Sequence, residues 1–463
     1  MRPQYAMLLI FLLFMALAMG YLIRYICPIA SSYAAKTACS CLFVAERAED
    51  DIKQDLHPVS YVRLAIDWEN KSVSGHVWGL ARRTAVYRQG LGCTLLTSAS
   101  LDEVKNQGLQ NPRKAFPGHV DSLWPQGDRD AVRIPKGVDS LALEEAMEWS
   151  FAETNPKTPL QTRGIVVLYQ GKIVAERYAE GFDIHRPQRA WSMVKSVTNA
   201  LTGILVREGK LDIHKPTGIQ EWQNHPQKRQ ITVDMLLRMS SGLAFQEVYG
   251  WDSHATRMLF RQKDAAAYAA SLKQAYAPDT EWNYSSGTSN ILSRLIRDQF
   301  TDVQAYLAFP YRELFDKIGM RSAQLEVDAS GTYVGSSFMM ASPRDWARFG
   351  LLYLNDGVWM GERILPEGWV SYSRTRTPSA PQGQYGAHFW TNALKEVPGP
   401  ARKYWPEVPE DAYYANGHEG QHVLIIPSRQ TVIVRMGMTP QKGTWKTGVF
   451  ADKILRALPQ EDS

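Results

Sequence analysis

The chain has 463 residues, 44% of them hydrophobic, and a formal net charge of +5. That length allows two to three domains and a large core, so no covalent staple is needed to explain folding. The small charge gives no basis for the clustered basic footprint of a nucleic-acid-binding protein, and no nucleic acid is expected as a partner.

At the N-terminus, Ala6 to Ile23 form one uncharged apolar run, AMLLIFLLFMALAMGYLI. Roughly 18 to 20 such residues span a bilayer as a helix. A cleaved signal peptide has a shorter apolar stretch and a small-residue cleavage site. Ser32-Tyr33-Ala34 offers such a site, but beyond Arg24. An uncleaved signal anchor over residues 1–34 is therefore expected, with a cleaved signal peptide as the alternative. Arg2 and Arg24 flank both ends of the run, so charge does not set its orientation. Either reading exports the rest of the chain. It would face the periplasm or extracytoplasmic space from the inner (plasma) membrane, with the helix as its membrane contact.

Residues 35–135 read as an N-terminal extension and linker. A strand pair is expected around Ser74 to Tyr87. The stretch NPRKAFPGHVDSLWPQGDRD, from Asn111 to Asp130, is rich in turn formers and reads as a connecting arm. The four cysteines, Cys27, Cys39, Cys41 and Cys93, all precede the remaining 370 residues. In an oxidising compartment Cys93 would pair with Cys39 or Cys41. Further ligands for a zinc site around Cys39 and Cys41 are not evident.

Residues 136–463 change character. Leu141 to Thr154 has helical spacing. GIVVLY (Gly164 to Tyr169) and KIVAERY (Lys172 to Tyr178) are β-rich, and Gln170-Gly171 between them suits a tight hairpin. Ser192 to Glu208 is helical, followed by helices at Thr232 to Met239, Asp264 to Lys273 and Thr288 to Gln299. His422 to Ile426 and Thr431 to Arg435 are strands, and Ala451 to Leu458 is a last helix. Early and late strands would share one antiparallel sheet beside a helical block, an α+β architecture.

Ser192-Met193-Val194-Lys195 is the one S-x-x-K in the chain. On a helix, residues three apart share a face, so the lysine amine reaches the serine hydroxyl. A neutral lysine would take the serine proton and make the oxygen nucleophilic, provided its pKa is lowered. Trp191 beside it would exclude water. Alone, the motif is short and Ser192 would pass as a helix cap. Two further strings join it. Trp282-Asn283-Tyr284-Ser285-Ser286-Gly287 precedes a helix and offers a proton-relaying tyrosine with a hydroxyl two residues on. Asn416-Gly417-His418-Glu419-Gly420-Gln421-His422 precedes a strand. Its glycines allow close backbone approach, and an amide there would complete an oxyanion hole with the amide of Ser192.

With WSMVKSVTNALTGILVREGKLD, ITVDMLLRMSSGL, WNYSSGTSNIL, ASPRDWARFGLLYLNDGVW and GHEGQHVLIIPS in order, the chain resembles the serine β-lactamase-related family. That family includes penicillin-binding proteins, class C β-lactamases, family VIII esterases and 6-aminohexanoate-dimer hydrolase. The likeness covers roughly residues 138 to 460 and is strongest to the 6-aminohexanoate-dimer hydrolase and family VIII esterase branch, through MSSGLAFQEVYG and Y-S-S-G. It implies a β-lactamase/transpeptidase-like fold, an antiparallel sheet flanked by helices with an all-helical lobe. It implies Ser192 as nucleophile, Lys195 as general base and Tyr284 as proton relay. Ser286 takes the place where members often carry Asn. Tyr249, in a loop that borders the substrate in that branch, becomes a candidate for substrate contact.

Two departures redirect the substrate. Where typical β-lactamases have Lys-Thr-Gly or His-Thr-Gly, this chain has His418-Glu419-Gly420, and Tyr-Ser-Ser replaces Tyr-x-Asn. Both favour a small-molecule or short peptide-like ester or amide over a β-lactam. His418, Gly420 and Gln421 join Ser286 and Tyr249 as oxyanion or substrate-binding candidates. A cell-wall D-amino-acid peptidase, a weak β-lactamase and an inactive membrane-tethered binding protein are the alternatives. His418 to His422 also fits H-E-x-x-H, but that zinc pattern needs a helix, and Gly417 and Gly420 oppose one. No metal and no cofactor is expected.

Overall fold

The computed structural model describes residues 3–109, 121–129, 132–249, 252–392 and 403–459. Most of the connecting arm expected over Asn111 to Asp130 lies outside them. The chain begins with helix α1 (Pro3–Tyr21), a single wide turn at Leu22–Ile26, and helix α2 (Cys27–Phe43). The two halves differ completely in setting. Leu8 to Phe14 on α1 are all more than half exposed, apolar on every side of the helix. Among the described residues, Met7–Phe43 is the one helix long and apolar enough to cross a membrane. α2 is instead built of Ala, Ser and Cys and is almost wholly buried. Small side chains let other elements approach it on all sides. The boundary expected at residue 34 thus falls inside α2.

α2 lies against a four-stranded antiparallel meander, β1 (Arg63–Asp67), β2 (Ser72–Val77), β3 (Leu80–Arg88) and β4 (Gly92–Leu95). The strand pair expected from the sequence is its middle hairpin. A disulfide joins Cys39 to Cys93, resolving which of the two candidates is paired; Cys41 stays a buried thiol. The extension also docks on the rest of the chain. Lys36 Nζ meets Glu326 Oε2 at 2.5 Å, and Asp55 receives Arg47 at 2.8 Å and pairs with Arg163 and Arg189. Ala35, Ala38 and Cys39 share one apolar core with Met193, Val194 and Val197.

The main sheet has six antiparallel strands. Trp390–Thr391, Tyr413–Gly417, Gln421–Ile426 and Thr431–Gly437 lead to β5 (Thr162–Tyr169) and β6 (Lys172–Tyr178). First and last strands do meet, Val434 opposite Val166. The β5–β6 turn has φ of 48° at Gln170 and 74° at Gly171, as a two-residue hairpin requires. Alternate residues of β5 serve two cores. Ile165 and Val167 face the helices Ser140–Phe151 and Thr447–Ala457, while Val166 and Leu168 face the helix Pro343–Leu354. This is the expected α+β arrangement.

Candidate active site

Trp191 takes a left-handed backbone conformation (φ 48°), and a single 3₁₀ turn, Trp191–Met193, leads into the helix Val194–Arg207. Ser192 therefore stands at a helix entrance, with Lys195 one turn on. Lys195 is buried to 1% exposure. Its Nζ donates to Ser192 Oγ at 3.0 Å, Ser286 Oγ at 3.0 Å and the carbonyl of Ser336 at 3.1 Å. Burial pushes its pKa down to about 8, against a smaller upward pull from Glu247. All three contacts are neutral oxygens, so none of them neutralises the ammonium.

Tyr284 lies over the same amine, with Nζ 4.9 Å from its ring centre. Burial and Glu247 raise its phenol, while a hydrogen bond with Ser192 opposes them. It is a neutral phenol near pH 7, able to donate a proton but unsuited as the base. Trp282, Tyr385 and Trp390 wall it in, with ring centres 6.4, 5.8 and 5.3 Å away. Ser286 opens the helix Ser286–Arg297, whose entrance is capped by Ser285.

Glu247 is the residue that sequence reasoning missed. Its carboxylate accepts from the Ser286 amide at 2.8 Å, Ser286 Oγ at 2.6 Å and Tyr249 Oη at 2.6 Å. The signal was an acidic residue two positions before Tyr249 in a loop already singled out. Asp252, in the same loop, turns away to Arg257. Tyr249 does reach the cleft, stacked on His418 at 6.1 Å, and His418 meets Trp191 edge-on at 5.7 Å. His418 is exposed at the rim.

The strand edge is held by its glycines. A Cβ on Gly417 would sit 2.4 Å from the carbonyl oxygen of Ala190, so only glycine lets this strand run against the turn bearing Ser192. Gly420 (φ 81°) leaves room for Arg435, which donates to the carbonyls of Glu419 and Gly420. Glu419 accepts from Trp191 Nε1 at 2.9 Å. The Gln421 side chain is turned to the backbone of Gly437, donating to its carbonyl and accepting its amide at 3.0 Å, so any part it takes in the cleft is through its backbone amide. H-E-x-x-H does not form a helical site. Glu419 has φ of 65°, and His422 sits on a strand beside Thr447.

Residues 159–444 match the protein family described as Beta-lactamase, well over half of the chain. The chain belongs to the Beta-lactamase family. It is a serine hydrolase. Its resemblance to 6-aminohexanoate-dimer hydrolase from Paenarthrobacter ureafaciens is 24% identity over 335 residues, covering 64% of this chain and 79% of that one. Two solved structures share the fold. A candidate 6-aminohexanoate-dimer hydrolase from Bacillus anthracis has a TM-score of 0.53 at 21% identity, covering 69% of this chain and 83% of that one. A penicillin-binding protein homologue from Caulobacter crescentus has a TM-score of 0.52 at 14% identity, covering 70% and 97%.

Within this family fold, a buried histidine locks the helix that follows Ser192 in place. His388 Nδ1 lies 2.9 Å from the carbonyl of Lys195, and Nε2 lies 3.1 Å from Ser289 Oγ. Burial drives its pKa down to about 3, so it is a neutral strut between two helices. Asn199, one turn beyond Lys195, is gripped by Tyr353 Oη and Trp369 Nε1 at 2.6 and 2.9 Å.

Proposed function

We propose that Ser192 attacks the carbonyl carbon of an ester or amide and forms an acyl-enzyme, with Lys195 as general base and Tyr284 as proton relay. One observation carries this reading: a buried lysine whose hydrogen-bond partners, among the described residues, are Ser192, Ser286 and a carbonyl. A neutral amine has two N–H groups and one lone pair for these three neighbours. The carbonyl of Ser336 only accepts, and the hydroxyl proton of Ser286 is engaged by Glu247. The lone pair remains for Ser192. The serine proton moves to Nζ as the C–O bond forms. Tyr284 then passes its phenol proton to the leaving oxygen or nitrogen as its bond to carbon breaks, and regains one from Lys195 Nζ, which leaves the amine neutral again. Backbone amides of Ser192 and Gln421 would hold the oxyanion, and water, deprotonated in turn, would release the acyl group.

The substrate is a small or short peptide-like ester or amide, entering past Tyr249 and His418. The exposed α1 supports an uncleaved membrane anchor, and the Cys39–Cys93 disulfide favours an oxidising, extracytoplasmic side for the body of the chain. In domain terms we assign 35–135 to the extension and 136–463 to the hydrolase, and within 1–34 we limit the anchor to α1, because α2 packs into the body from Cys27 on.

Intact mass after exposure to nitrophenyl acyl esters and short linear amides tests the chemistry. Wild type should gain one acyl group, and Ser192→Ala none. An adduct on Ser192→Ala would overturn the assignment.

A further inference from the structure

Where α1 meets the body, Tyr21, Tyr25, Arg257, Arg261, Gln262 and Tyr268 enclose an open groove of about 590 Å³. Nothing in the hydrolase mechanism uses it. The guanidiniums of Arg24 and Arg261 lie 5.9 and 5.2 Å from the Tyr25 ring centre. Asp252, its side chain covered, pairs with Arg257 at 2.5 Å and with Arg261 at 3.7 Å. Arg83 is near enough to Arg261 for their charges to repel. Two arginines thus share one carboxylate, and Arg24 and Arg83 lie beside them, leaving a surplus of positive charge beside the last residue of an exposed apolar helix.

We propose that this groove binds the phosphate of an anionic phospholipid headgroup. The inference rests on the membrane-anchor reading of α1. A helix leaving a bilayer at Tyr21 puts that ring and Tyr25 at headgroup level, where tyrosines concentrate. Guanidiniums match phosphate oxygens two at a time, and basic residues near an anionic surface are drawn to it. The groove keeps its place because α2 continues from α1 into the protein's core. The bound headgroup would also set the height of the active site. Tyr33, stacked at 6.2 Å on Trp191 next to Ser192, lies 12 residues beyond Tyr21. That is about 18 Å along a helix. Arg257 and Arg261 sit on the helix His254–Arg261, and its Phe260 packs edge-on against Tyr33.

The test uses the full chain in neutral detergent, titrated with phosphatidylglycerol or phosphatidylcholine and read by native mass spectrometry. Arg24→Gln/Arg261→Gln removes two charges and leaves the Arg257–Asp252 pair in place. Wild type should retain one phosphatidylglycerol with at least about tenfold preference, and the variant should lose that preference. Equal retention of both lipids, or an unchanged preference in the variant, overturns the proposal. So does displacement of the lipid by millimolar inorganic phosphate, which would mark a site for the free anion. Partition of the full chain into phosphatidylcholine vesicles tests the anchor separately. A chain that partitions without headgroup preference refutes the groove alone, and one that does not partition refutes the anchor.

Discussion

Two of the buried lysines, Lys36 at 5% and Lys195 at 1% exposure, do different work. Lys36 faces the carboxylate of Glu326 at 2.5 Å and Ser40 at 2.8 Å, across the seam between α2 and the hydrolase body. Lys195, among the described residues, hydrogen-bonds to neutral oxygens. Burial lowers both pKa values, but at Lys36 the carboxylate pulls back upward. Loss of water therefore does not by itself make a lysine a base. The charge of its nearest partner decides whether it stays an ion or titrates near neutrality.

Removing each amine should break the symmetry between them. Lys195→Met should slow acylation by about 10²- to 10⁴-fold, the usual contribution of a general base, in a protein that still melts cooperatively. Single-turnover acylation beside a thermal melt reads both. Lys36→Met should do the reverse. Activity per folded molecule should persist, while stability drops by about 3–5 kcal/mol because the Glu326 charge is left buried without a cation. Lys36→Met/Glu326→Gln should recover most of that loss in denaturant titrations. If the single variant loses activity while keeping its stability, the seam is part of the active site and the contrast fails.

The smallest effect concerns Glu247. It raises the pKa of Lys195, so Glu247→Gln should move the midpoint of the acylation pH profile downward. An upward or absent shift would show that the carboxylate acts otherwise. Stability follows the same titration. An exposed lysine releases its proton near 10.5, so between about 8 and 10.5 the unfolded chain binds the extra proton and stability should rise with pH.

What could be read in the sequence follows from distance along the chain. Ser192 and Lys195 are three residues apart, and helical geometry alone brings them together. Four strands of the six-stranded sheet were legible through alternating and β-branched runs that turn residues delimit, while Trp390–Thr391 and Tyr413–Gly417 were not. Glu247 was not, because its role appears only when its loop folds back on Ser286, 39 residues away. The Lys36–Glu326 pair spans 290 positions and carries no local signal. The choice between Cys39 and Cys41 rested on which face of α2 meets β4. Residues two apart on a helix point in nearly opposite directions, and Cys41 faces Asp55 instead. The depth of α2 in the body was hidden too, since a run of small residues after an apolar stretch reads equally well as a cleavage region.

The central claim is that a neutral Lys195 activates Ser192. The most direct measurement is the rate of acyl-enzyme formation on wild type as a function of pH, with a substrate that does not titrate. The rate should climb tenfold per pH unit at low pH and level off with a midpoint near 8. A pH-independent rate, or one still climbing towards 10.5, would show that Lys195 keeps its proton and that another group takes the proton from Ser192.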